Sequence, residues 1–206
     1  MSKKNHNKRI DNLHKKKMKK LKENIDTSIN AANTERGVGI LLTGNGKGKS
    51  TSAFGMVMRS LGHNQKVGVI QFIKGQQLSG EETYLRDKCP HVTFHQMNTG
   101  FTWETQDRSI DIAAAEETWS KAEKMLQDER YHLVILDELT YMLSFKYLDE
   151  GKIINSLKNR PISQSVVVTG RGGGSALVDW ADTVSEIKET KHAYNQGIMA
   201  RKGVDL

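Results

Sequence analysis

Thr43-Gly44-Asn45-Gly46-Lys47-Gly48-Lys49-Ser50-Thr51 is the stretch whose residue types point most directly to chemistry. The glycines at 44, 46 and 48 have no side chains to obstruct backbone N–H groups turning toward an anion. Lys49 is spaced to reach outer phosphates, and the Ser50 hydroxyl can join a Mg²⁺ shell. A helix opening near Ser50 would aim its positive end at the same phosphates. Thr43 stands where the usual G-x-x-x-x-G-K-[ST] pattern has its first glycine. A glycine-lysine turn by itself also fits a plain strand-to-helix loop. Context decides: residues 38–42 form an apolar strand, and Ala53-Phe54-Gly55-Met56-Val57 follows as a helical core stripe. Nucleotide phosphate binding by Gly44, Asn45, Gly46, Lys47, Gly48, Lys49, Ser50 and Thr51 is the expectation.

A second polar pair, Asp137-Glu138, ends a run of four apolar residues. It fits the acidic strand end that meets Mg²⁺ directly or through water in nucleotide-binding proteins. Neighbours on an extended strand point to opposite sides, so which carboxylate faces the metal stays open. Arg171 sits among four glycines in Thr169-Gly170-Arg171-Gly172-Gly173-Gly174, where it can clamp a phosphate oxygen or stand exposed in a flexible turn. Arg59, two turns into the first helix of the body, can flank the base or lie on the surface. Phe101 and Trp103 interrupt a polar stretch. Their spacing fits either a strand's core-facing pair or a pocket for a large flat ligand.

These residues need elements to carry them. Residues 66–73, 91–96, 132–136 and 165–168 read as further buried strands, and 184–187 as a last, edge strand. Residues 107–128 read as a helix with Ile110, Ala114, Met125 and Leu126 on its packing side. Apolar strands alternating with helices imply an α/β fold, a mostly parallel sheet covered on both faces. In such sheets ligands sit beyond the carboxyl ends of the strands. The tips at 43–51, 74–82, 97–104, 137–141 and 169–174 each carry polar or glycine-rich residues.

The 206-residue chain suits one domain plus an appendage. Residues 1–36 hold 11 Lys+Arg against 4 Asp+Glu, and residues 37–206 hold 20 of each. The net charge of +7 therefore belongs to an N-terminal arm. The neutral body lacks the basic excess that phosphate-backbone binding needs, so no nucleic-acid partner is expected. Ile10, Leu13, Met18, Leu21, Ile25, Ile29 and Ala32 recur at helical steps in that arm, which fits either a solvated tail or a helix that docks over a ligand site. The single cysteine, Cys89, excludes an internal disulfide and a cysteine-rich zinc site. No apolar run approaches the ~20 residues needed to span a bilayer, and the basic start lacks the apolar segment of a secretory signal. A soluble cytoplasmic protein without a membrane partner is the expectation.

Taken together, these blocks resemble the P-loop type of ATP:corrinoid adenosyltransferase. The resemblance rests on Thr-Gly-Asn-Gly-Lys-Gly-Lys-Ser-Thr at 43–51, Gln-Phe-Ile-Lys-Gly at 71–75 and Gly-Glu at 80–81. It continues through Thr-Gly-Phe-Thr-Trp-Glu-Thr-Gln at 99–106, Leu-Asp-Glu-Leu-Thr-Tyr at 136–141 and Thr-Gly-Arg-Gly at 169–172. Ala-Asp-Thr-Val-Ser-Glu at 181–186 and Lys-His-Ala-Tyr at 191–194 complete it. It implies a P-loop NTPase-like fold over 37–206. It implies that Co(I) of a reduced corrinoid such as cobalamin attacks the 5′ carbon of ATP, with triphosphate leaving. Lys49, Arg171 and Mg²⁺ would stabilise the departing charge, with Ser50, Asp137 and Glu138 at the metal. Phe101 and Trp103 would press on the lower corrin face and exclude its axial ligand. An electron donor such as a flavoprotein, a homodimer, and an arm covering the site are also implied. Three other readings use the same cradle: a small-molecule kinase, which would release ADP, a nucleic-acid-stimulated ATPase tethered by the arm, and a nucleotide-dependent switch or scaffold without chemistry.

Overall fold

The computed structural model describes residues 3–73, 79–97 and 107–205, with the backbone alone for 3–6. Phe101, Trp103 and the Lys74-Gly75 end of one motif lie outside the described residues. The chain divides into two compact units, Met1–Glu35 and Arg36–Leu206. The first is one helix, α1 (Lys3–Ala31). Its apolar stripe is unburied: Ile10, Leu13, Met18, Leu21, Ile25 and Ile29 all stand exposed.

The second unit alternates strand and helix. Its order is β1 (Gly39–Thr43), α2 (Lys49–Gly62), β2 (Val67–Gln71), α3 (Gly80–Lys88), β3 (Val92–Gln96) and α4 (Arg108–Gln127). β4 (Leu133–Asp137), α5 (Leu139–Ser144), α6 (Glu150–Lys158), β5 (Ser165–Thr169), α7 (Gly174–Trp180) and β6 (Thr183–Glu186) follow. The strands form one sheet in the order β3-β2-β4-β5-β1-β6, and every pairing is parallel. Parallel strands need covered crossovers, and both faces are covered. On one face Ala53, Phe54 and Val57 of α2 and Leu85 of α3 pack on Val67, Val69, Ile135 and Val167. On the other, Trp119 and Leu126 of α4, Ile153 and Leu157 of α6, and Leu177 of α7 pack on Ile70, Val134, Leu136, Val166 and Val168. The alternation of odd and even residues between the two clusters is the period of two that a strand imposes. The expected edge strand at 184–187 is β6, whose four residues are all exposed. Asp182 ties its start to β1 by accepting from both terminal nitrogens of Arg36 and from the Gly39 N–H. Those hydrogen bonds hold the Asp182 carboxyl down to about 2.

One packing expectation shifts. α4 buries Asp111, Ala115, Thr118, Trp119, Ala122, Met125 and Leu126, whereas Ile110 is 52% exposed. The buried set advances by three or four residues from Asp111, and Ile110 lies about 100° around the helix from it. Trp119, stacked on Phe72 at 6.3 Å between ring centroids, anchors that face.

Register then decides what meets at the carboxyl edge of the sheet. Gln71 pairs with Asp137, Leu136 with Val168, and Leu42 with Thr169. The last residues of β2, β4 and β5 are therefore neighbours, with the loop after β1 beside them.

Candidate functional site

The loop between β1 and α2 is held close against the end of β6. Gly44 has φ +98°, and a Cβ there would stand 2.4 Å from the Ile187 carbonyl oxygen. A side chain at this position would meet both a strained backbone and a backbone atom. The Gly46 N–H donates to Ile187 O at 2.7 Å, so this amide is spent on the loop's own anchoring. Gly48, at φ +115°, starts α2 with no side-chain cap. That leaves the first amides of the helix free for an external acceptor.

Lys49 is buried, 8% exposed, and its ammonium donates to Gly46 O at 2.9 Å. Burial lowers its pKa, and Arg171 adds to that, while Glu138 and Asp137 pull it back up. Opposite stand the tips of three strands, linked by a hydrogen-bonded relay. Gln71 Nε2 donates to Asp137 Oδ2 at 2.9 Å, and Thr169 Oγ1 donates to Asp137 Oδ1 at 2.6 Å. The Glu138 N–H in turn donates to Thr169 Oγ1 at 3.0 Å. Asp137 is 2% exposed, so both its oxygens are committed inside the protein. Glu138 leaves the strand in the left-handed region at φ 59°. That turn breaks the alternation that would have sent it to the opposite face. Both carboxylates therefore line one cleft.

The cleft has a volume of about 690 Å³ and is lined by residues 47–51, Phe54, Gln71, Ile73, residues 79–81, Asp137, Glu138 and residues 203–205. Two buried acceptors on its wall, Gln71 Oε1 and Glu138 Oε2, have no hydrogen-bond partner among the described residues. Buried acceptors of this kind are costly unless a ligand or ion supplies the missing donor or charge. Among the described residues no group of three or more His, Cys, Asp and Glu side chains could hold a metal ion. An ion here would need oxygens from elsewhere, which fits Mg²⁺ bound through one or two protein oxygens and substrate phosphates.

Burial, reinforced by neighbouring Asp137, lifts the Glu138 carboxyl from 4.5 to about 7, against the opposing pull of Lys49 and Arg171. The folded protein then keeps a proton that the unfolded chain releases near 4.5. The associated stability is complete below that pH and is lost as pH rises to about 7. Glu138→Gln, neutral throughout, is expected to remove this loss, about 3 kcal/mol for a shift of that size. Denaturant midpoints of the nucleotide-free protein at pH 5 and pH 8 check it. The variant should gain on the parent at pH 8, and parallel midpoints would contradict the assignment.

Not every expected residue meets at the cleft. Lys47, Gly48, Lys49, Ser50, Thr51, Asp137 and Glu138 line it. Asn45 and Arg171 line an adjoining depression of about 600 Å³ with Glu186, Lys188 and Glu189, although the charge of Arg171 is felt at Lys49 and Glu138. Arg59 is exposed in the last turn of α2, about 15 Å along the axis from Lys49 at 1.5 Å per residue. It is not among the residues that line the cleft. The turn at 203–205 was not foreseen, because nothing in its residue types marks a ligand site. Gln71 and Thr169 stood in recognisable motifs, but only the strand register reveals their hold on Asp137.

A parallel α/β sheet with a glycine-lysine loop after one strand and a carboxylate pair at the tip of another defines a P-loop nucleotide-binding protein. The family profile described as ATP:corrinoid adenosyltransferase BtuR/CobO/CobP matches residues 35–206. A corrinoid adenosyltransferase from Pseudomonas aeruginosa is 48% identical over 95% of this chain and 97% of its own. Those of Escherichia coli K12 and Salmonella typhimurium, the latter named CobA, are each 45% identical over 95% of this chain and 98% of theirs. The solved structure of EssC ATPases 2 and 3 from Geobacillus thermodenitrificans aligns with 82% of this chain and 35% of its own. At 14% identity and a TM-score of 0.45, that likeness is too distant to bear on function. The chain belongs to the ATP:corrinoid adenosyltransferase family. It is an enzyme that transfers the adenosyl group of ATP to a corrinoid.

Proposed function

We propose that the cleft holds the triphosphate of ATP as a leaving group rather than as a phosphoryl donor. Co(I) of a reduced corrinoid supplies both electrons of the new Co–C bond. The bond from C5′ to its phosphate oxygen breaks, and its electron pair departs with the triphosphate. Lys49 and the amides at the start of α2 meet the charge that grows there, already in place before the reaction. Arg171 adds positive charge from the adjoining depression. The observation that carries this reading is the meeting of Lys49, Ser50 and Glu138 on one cleft wall.

The same wall fits Mg²⁺. Ser50 and Glu138 offer oxygens, and Asp137, engaged by Gln71 and Thr169, holds the Glu138 segment in position. When bound, the ion would neutralise part of the leaving group's charge. The unpartnered Glu138 Oε2 supports this assignment over Asp137 as the closer carboxylate.

Phe101 and Trp103 are assigned the lower corrin face by resemblance alone. Cobalt freed of its axial donor is easier to reduce, and the protein's part is to enforce that coordination and keep the face dry. An external electron donor such as a flavoprotein, and a homodimer, complete the proposal. The covering role of the N-terminal arm is assigned by resemblance alone.

Anaerobic incubation with ATP, Mg²⁺ and reduced cobalamin tests the whole. The visible spectrum should change to that of the alkylated corrinoid, with inorganic triphosphate as co-product; release of ADP would refute it. Trp103→Ala should leave ATP affinity unchanged while slowing adenosylation from cob(II)alamin under mild reductant. About tenfold is expected if about 1.4 kcal/mol of help is lost. Normal turnover by this variant would remove the aromatic assignment.

A further inference from the structure

Lys47 of the phosphate loop does not stand free. Its ammonium lies 2.9 Å from Asp205 Oδ1, and Asp205 Oδ2 accepts from the Arg201 N–H at 2.9 Å. The Asp205 and Val204 amides donate back to Arg201 O at 2.8 and 3.1 Å, closing a tight turn. Gly203, Val204 and Asp205 then form part of the cleft wall shared with Lys49, Ser50 and Glu138. Lys47 and the Arg201 amide keep the Asp205 carboxyl below its usual range, so the group is an anion at neutral pH.

A negatively charged oxygen is thus seated on the cradle's own lysine, inside the cavity assigned to a polyphosphate. We propose that Asp205 is an intramolecular stand-in for phosphate, and that a triphosphate binds by displacing it from Lys47 and releasing the 201–205 turn. This rests on the reading of the cleft as the triphosphate site. Two anions cannot share Lys47 without repelling each other, and the polyphosphate carries several charges against one. The pair is suited to exchange because it is partly exposed, with side chains 43% and 27% accessible. Exposed pairs of this sort are weak. When the inorganic product leaves, Asp205 returns to Lys47 and the loop is not left with an unpaired cation.

Calorimetric titration with inorganic triphosphate at low salt tests the exchange. Asp205→Asn should bind about two- to fivefold more tightly than the parent, the range that a weak surface pair corresponds to. Asp205→Glu, which keeps the anion, should bind like the parent. In hydrogen exchange on the unaltered protein, the amides of Val204 and Asp205 should lose protection when triphosphate is added. Equal or weaker binding by Asp205→Asn, or unchanged protection, overturns the proposal while leaving the phosphate site intact. Binding by none of the three proteins removes the phosphate site itself, and the proposal with it.

Discussion

Lys49→Ala is expected to lower adenosyl transfer by about a thousandfold, with most of the loss in kcat. Removing one donor from a site where charge develops costs about 10²- to 10³-fold, and Lys49 is a buried donor on the cleft wall. Its ammonium now rests on Gly46 O at 2.9 Å, a contact any phosphate oxygen in the cleft would outcompete by charge. The fold should tolerate the change. The variant loses one hydrogen bond, about 1 kcal/mol, and is relieved of a cation whose burial already lowers its pKa. An unchanged melting temperature with lost production of triphosphate would separate chemistry from stability. Retention of more than about a tenth of the activity would mean that the triphosphate is held elsewhere.

Asp137→Ala is the second large effect, and it should strike stability and activity together. The carboxylate accepts from Gln71 Nε2 and from the Thr169 hydroxyl, and the same hydroxyl receives the Glu138 N–H. Its removal leaves two buried donors unsatisfied, at about 1–3 kcal/mol each. For a chain of this length each kcal/mol lowers the melting temperature by about 2–4 °C, so a fall of about 4–24 °C is expected. Asp137→Asn should rescue part of it, because its amide oxygen still accepts from one partner while its nitrogen requires the Gln71 amide or the Thr169 hydroxyl to turn and accept. Glu138 is held less firmly in either variant, because the Thr169 hydroxyl that receives its N–H is no longer fixed by a carboxylate, and activity should fall even at temperatures where the protein remains folded. A melting temperature within about 1 °C of the parent would show that the relay does not hold the strand tips.

The centre of the sheet was largely readable in advance because β2, β4 and most of β5 are buried on both faces and appear as apolar runs. Leu133–Asp137 is buried at every residue, as its sequence suggests. Helical phase was harder to read. Ile110 looked like a core residue by type, yet Asp111 occupies the inward position, since α4 is phased by Trp119 and Ala122. The carboxylate pair shows why site geometry escapes pattern reading. Strand alternation separates Asp137 from Glu138, and only the left-handed turn at Glu138 reunites them. Asp205 was illegible for a different reason: its importance comes entirely from the distant residue it meets.

The strand order carries a consequence for how the enzyme comes into being on the ribosome. β1, which leads into the glycine-lysine loop, has β5 and β6 as its neighbours among the described strands. Those strands lie at 165–169 and 183–186, more than a hundred residues downstream. A nascent chain that has emerged only as far as β4 already exposes Gly-Ile-Leu-Leu-Thr with nothing to pair with. Such an apolar edge attracts other chains. Competence to hold ATP is therefore acquired late in synthesis, and prematurely terminated products should be insoluble rather than partly active.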